Sequence, residues 1–261
     1  MISTNAICRL VTLIFCVTIV KAQERPFLFT LVPPEAASRP IILHYDAAYG
    51  RETFEPLGGD NVEQTLGIQT CMNESITLMG QFSFATDRVS TLSSQHVELL
   101  VRGLKSQNGI VDFSAGPGFR HEYGGTNVLL GRAVVGRRFS TWQIYGNFLL
   151  EKPFSEQRDE LDLFLTTGWS YNVSPSLQLG FEAVGQDLEG FWDENEAEGG
   201  ATLFIGPIVA AAIPTTPWTF TAGAGPIIRA TQTSRASYAP RDLGPVRENG
   251  FVIRATINFA L

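Results

Sequence analysis

Apolar and polar residues alternate with period two over most of this chain, most clearly at its end. Phe251, Ile253, Ala255, Ile257, Phe259 and Leu261 share one face, and Val252, Arg254, Thr256, Asn258 and Ala260 share the other. Alternation of this kind makes a β-strand with one apolar and one mostly polar side. Its length matches the roughly 9–11 residues a tilted strand needs to cross a bilayer. The face with Arg254 and Asn258 would then look into a lumen, and the face with Phe251 and Phe259 into lipid. Phe259 and Leu261 are the candidate assembly signal at the chain end.

The same pattern predicts twelve strands, roughly 41–50, 62–72, 75–84, 94–104, 110–119, 127–138, 141–151, 160–172, 177–187, 199–212, 218–231 and 250–261. Short connections such as Phe139-Ser140 alternate with longer ones at 51–61, 85–93, 120–126, 152–159, 188–198 and 232–249. Short turns on one side and long loops on the other characterise outer-membrane barrels. The expected fold is all-β: a single antiparallel, transmembrane, up-and-down barrel of about 12 strands spanning 41–261. A soluble β-sandwich is the competing fold, and it has no reason to alternate its connections. Trp142, Trp169, Tyr171 and Trp218 fall near short turns, where an aromatic girdle would lie.

The N-terminus places this barrel outside the cytoplasm. Arg9, the apolar run Leu10–Val20 and Ala22 read as a secretory signal peptide over 1–22, too short in its apolar part to span as a helix. Residues 23–40 contain Pro26, Pro33, Pro34 and Pro40 and read as an extended periplasmic leader. Loss of Arg9 and Lys21 with the signal takes the net charge from −7 to −9. An acidic chain without a basic cluster is a poor partner for nucleic acid. Cys8 and Cys16 leave as well, so Cys71 stands without a disulfide partner. The expected location is the cell outer membrane. The expected partners are membrane lipids, lipopolysaccharide, the barrel assembly machinery and an unidentified small solute.

Charges of both signs fall on the predicted inner face. The lumen-lining candidates are Glu98, Arg102, Asp112, Arg132, Arg138, Glu151, Asp162, Glu182, Arg229 and Arg254, with Asp46 and Arg120 beside them. Isolated charges in a low-dielectric space are costly, so these should pair across a narrow lumen. Paired side chains could line a small channel or plug it, and the sequence leaves both open.

Chemistry elsewhere is sparse. The histidines His44, His96 and His121 lack a serine two residues after them, and Ser94 precedes His96 in the reverse order. A nucleophilic Ser needs a His within reach, so no catalytic residues and no enzyme activity are expected. The segment Asp187–Glu198 holds six carboxylates without the spacing of a calcium loop and reads as a solvated acidic loop. No metal or cofactor is expected. Gly116-Pro117-Gly118 and Gly223-Ala224-Gly225-Pro226 sit inside strands and mark bends rather than phosphate cradles.

The signal peptide, the last strand and strand–short turn–strand units such as Tyr171–Gly180 resemble Gram-negative outer-membrane barrels. In particular, the chain resembles the transporter group that includes the MetA-pathway proteins of phenol degradation. That resemblance implies a barrel and the passage of small apolar or aromatic compounds. One departure is the terminus: such barrels usually end in an aromatic residue, whereas here Leu261 is last and Phe259 lies two residues earlier.

Overall fold

The computed structural model describes residues 25–33, 41–50, 61–86, 91–105, 110–155, 161–192, 200–231 and 249–261. The expected signal peptide at 1–22 lies outside them.

Twelve strands form: β1 (Ile41–Gly50), β2 (Asn61–Cys71), β3 (Ile76–Thr86), β4 (Thr91–Leu104), β5 (Asp112–Glu122), β6 (Asn127–Arg138), β7 (Trp142–Pro153), β8 (Asp162–Ser174), β9 (Leu177–Gln186), β10 (Thr202–Ala212), β11 (Trp218–Arg229) and β12 (Gly250–Ala260). Each pairs antiparallel with its sequence neighbours. β1 pairs with β12 from Ile42↔Ala260 to Gly50↔Val252, which closes the barrel. Closure leaves no unpaired sheet edge, the condition for spanning a membrane with strands.

The strand count and facing agree with the sequence pattern. Ile144, Phe148, Leu165, Trp169 and Phe181 are exposed on the outside, while Gln143, Asn147, Thr166 and Ser170 are buried inside. Two loop expectations shorten. The connections expected at 85–93 and 120–126 contract to 87–90 and 123–126, because β3, β4 and β5 run further than expected. Pairing of Thr86 with Thr91 carries the β3–β4 ladder to the last described residue of β3 and the first of β4.

An aromatic belt gathers at the short-turn end. Trp142 stacks on Phe139 at 3.9 Å, and Trp218 tilts against Phe259 at 4.6 Å. Leu261 is exposed, and its N–H donates to Ile41 O at 2.9 Å. On the rim, Lys105 lies 2.8 Å from Glu74, and this hydrogen bond holds the exposed Glu74 carboxyl below its ordinary range.

The strand glycines expected to mark bends sit instead at close approaches between strands. A Cβ at Gly116 would lie 1.7 Å from Leu99 O, and one at Gly225 would lie 2.3 Å from Ile205 O. Neither position could carry a side chain without moving the neighbouring backbone.

Candidate functional site

The lumen contains part of the chain itself. The periplasmic leader expected over 23–40 is corrected for residues 25–33, which run inside the barrel. Pro26, Phe27, Leu28, Thr30, Val32 and Pro33 are all buried. The run Phe27–Val32 is mostly apolar, and burial against the inner wall removes that surface from water.

Main-chain hydrogen bonds hold this segment. The Glu182 carboxylate accepts from three successive N–H groups: Leu28 at 3.0 Å, Phe29 at 2.9 Å and Thr30 at 2.5 Å. Asn147 grips Leu31 from both sides. Its Oδ1 accepts the Leu31 N–H at 2.7 Å, and its Nδ2 donates to Leu31 O at 3.0 Å. The Thr221 hydroxyl donates to Arg25 O at 3.0 Å. Side chains settle over wall glycines: a Cβ at Gly168 would lie 2.5 Å from the Phe27 ring, and one at Gly223 would lie 2.9 Å from Leu28. Phe29 tilts against Phe204 at 5.3 Å, and the Arg254 guanidinium sits 4.7 Å from the Phe29 ring centre. A cation over an aromatic face is attractive in such a desolvated place.

Two apolar clusters flank this arrangement. Leu130, Leu149, Phe164, Phe204, Ile227 and Val252 are among the inward residues of one cluster, nearly inaccessible, with Phe29 packed against them. Phe27, Leu28 and Val32 join Val134, Tyr145 and Ile208 in the other. Their presence departs from the expected polar interior: the inner wall carries large apolar side chains because it packs against protein rather than water.

The opposite wall is polar. On β1–β4 a chain of contacts runs from His44 through Gln81 (3.4 Å) to His96 (3.3 Å), then to Glu98 (3.0 Å). Glu98 also pairs with Arg132 at 2.6 Å. Nearby, Arg254 pairs with Asp46 at 2.7 Å and lies 3.5 Å from Glu63. Thr256 donates to Asp46 at 2.5 Å. Between this wall and the segment lies a cavity of about 70 Å³, bordered by Arg25, Phe29, His44, Asp46, Glu98 and Arg254. It has room for a few waters and not for a solute of drug size.

The remaining lumen candidates are spread along the barrel. Glu151 is buried toward the long-loop end, where Arg120 bridges it and Glu122. Asp162 is buried on the same face, and its residue pairs with Glu151 in the ladder. Arg229 donates to Thr202 at 2.6 Å. Toward the short turns, Asp112 accepts from Tyr145 at 2.8 Å, Arg138 donates to Gln143 at 3.1 Å, and Arg102 donates to Glu74 O at 3.3 Å. All ten candidates therefore sit at inward strand positions. They form separate small networks instead of one cross-lumen cluster, because the segment occupies the space between the walls. The sequence pattern does not reveal Asn147's grip on the segment, Thr221, Gly168 or the lodged segment itself, and it marks Gly223 only as a bend.

The solvated-loop expectation for 187–198 changes in part. Asp187 and Glu189 are buried, and Glu189 accepts the Leu163 N–H at 2.8 Å. A 3-10 turn at Leu188–Phe191 brings them there, leaving Phe191 and Trp192 exposed. Residues 193–198 lie outside the described residues. Of the histidines, His121 faces out and contacts Asn127 at 2.8 Å, apart from His44 and His96.

A closed antiparallel barrel with an apolar exterior and a charged interior defines a class, the transmembrane β-barrel of outer-membrane type. Solved structures of that class share the fold. The chain is similar to a NanC porin, at 8% identity and a TM-score of 0.61, over 84% of this chain and 100% of that one. It is also similar to the KdgM porin in complex with disordered oligogalacturonate, at 9% identity and a TM-score of 0.58, over 84% of this chain and 99% of that one. No family model and no curated protein sequence matches the chain.

Proposed function

We propose that this protein is an outer-membrane channel for small molecules that residues 25–33 hold shut. The apolar outer belt suits it to lipid, with lipopolysaccharide around the long-loop side. Phe259 and Leu261 would present its C-terminal strand to the assembly machinery. The observation that carries the reading is the occupied lumen. The segment is joined to the wall by noncovalent contacts, chiefly through Glu182, Asn147 and Thr221. Its departure would leave a passage with an apolar layer on one side and paired charges on the other. That layer, with Phe164 and Phe204 in it, supports the finer reading that small apolar or aromatic molecules are the solutes.

Planar-bilayer recordings test this on the full chain. The wild-type protein should be quiet, and Gly168→Leu, which displaces Phe27, should conduct. Maleimide labelling of a Thr30→Cys variant lacking Cys71 reports whether the segment has left. A barrel that stays silent although Thr30→Cys labels freely would be closed by its own apolar layer. It would then be a structural barrel.

A further inference from the structure

Resting on the channel reading, we infer that the wall formed by β7–β11 is a recognition site for short peptides with apolar side chains, and that residues 27–31 are its resident ligand. The contacts that hold the segment are addressed to its main chain. Three N–H groups converge on Glu182, Asn147 takes both the N–H and the C=O of Leu31, and Thr221 takes the C=O of Arg25. Bidentate capture of one residue's N–H and C=O is what a neighbouring strand offers an added peptide strand. Such contacts read an amide backbone whatever its side chains are.

The rest of the wall narrows the class. Gly168 and Gly223 leave hollows that Phe27 and Leu28 fill, and the Phe204 ring, with Arg254 reaching over from β12 on the facing wall, receives the aromatic ring of Phe29. These surfaces favour branched or aromatic side groups. A hydrocarbon would fill them but could not supply donors to Glu182. That carboxylate is almost inaccessible, and a buried acceptor left without donors is penalised. A sugar would supply hydroxyl donors but would leave the apolar hollows wet. A short apolar peptide meets both demands. An incoming peptide would compete with the tethered segment for the same groups, which couples recognition of the solute to opening.

The test uses the full chain in nanodiscs and the labelled peptide acetyl-Phe-Leu-Phe-Thr-Leu-amide, with empty discs as the baseline for lipid partition. Its partner probe carries N-methyl groups on the second, third and fourth residues, which keeps the apolar surface and removes the donors meant for Glu182. Phe27→Ala weakens the tethered competitor without touching the wall. In that variant the amide peptide should bind about tenfold more tightly than the N-methylated one, the factor expected from hydrogen bonds to a charged acceptor. It should also bind more tightly than to the wild-type chain, and Glu182→Gln in the same background should remove most of the preference. Equal binding of the two probes, or binding no greater than to empty discs, overturns the inference. Leu28→Ala carries the same measurement where Phe27→Ala does not fold. Conductance without peptide preference would leave the channel reading and remove this one. Peptide preference without conductance would do the reverse.

Discussion

The two walls of the lumen satisfy their buried polar groups in different ways. On β1–β4, with Arg132 and Arg254 reaching in from β6 and β12, side chains satisfy one another: Glu98 with Arg132 and His96, Asp46 with Arg254 and Thr256. On β7–β11, Glu182 and Asn147 are satisfied by the main chain of residues 28–31. Inward parity is the same on both walls, and both bury their polar side chains. The self-paired wall keeps these ion pairs when the segment leaves, although Arg254 gives up the Phe29 ring, whereas Glu182 and Asn147 lose their main-chain partners at once. Opening therefore has its cost concentrated on one side of the barrel.

Substitutions on each wall should separate these two modes. The largest effect expected is from Arg132→Leu on the self-paired wall. It strips the main cation from the buried Glu98 and should lower barrel stability by about 3–5 kcal/mol, read by urea unfolding in micelles, with little change in Thr30→Cys labelling. Glu182→Leu on the other wall should cost the bound segment about 2–4 kcal/mol by orphaning three buried N–H groups. Labelling at Thr30→Cys should rise steeply, while the barrel itself stays folded. If Arg132→Leu freed the segment as readily as Glu182→Leu, the contrast between the walls would be gone. Gly168→Ala should cost about 1–3 kcal/mol through overpacking against Phe27, and its effect should vanish in a Phe27→Ala background. The same change at Gly67, where an added Cβ meets the His44 ring at 2.0 Å, should leave labelling of the segment unmoved. The smallest effect is expected from Phe29→Leu, which gives up the Arg254 and Phe204 ring contacts for about 0.5–1.5 kcal/mol, seen as a modest rise in labelling.

The barrel was legible because a two-sided environment imposes period two on every strand, as in Gln143, Tyr145 and Asn147 against Trp142, Ile144 and Phe148. The occupied lumen was not legible, for a physical reason. Residues 25–33 form no strand and pair with no ladder, so they carry no periodicity, and Pro26 and Pro33 give the composition of a linker. One signal was present: Phe27, Leu28, Phe29, Leu31 and Val32 are a strange choice for a leader bathed in water. A second lay on the strands. Leu149, Phe164 and Phe204 occupy inward parity, and an open aqueous pore would not favour large apolar groups there. The charged candidates could be placed on the inner face by counting. Their partners could not, since Glu182 meets residues about 150 positions away through three dimensions, and no local spacing encodes that contact.

The segment precedes β1 in the chain and yet lies within the ring that β1 and β12 complete. Such an order constrains how the molecule can be made. The bond between Thr221 and Arg25 spans 196 positions of sequence, and the one between Glu182 and Leu28 spans 154. Contacts of such range form late, after the loop entropy between them has been met. Until β12 reaches β1, the growing sheet is open along that seam, and the N-terminal residues can lie down on its concave side. Once the seam zips, they must thread an end of a finished cylinder to get in or out. A segment seated before closure would offer the last strands the largely apolar surface of residues 27–32 on which to curl.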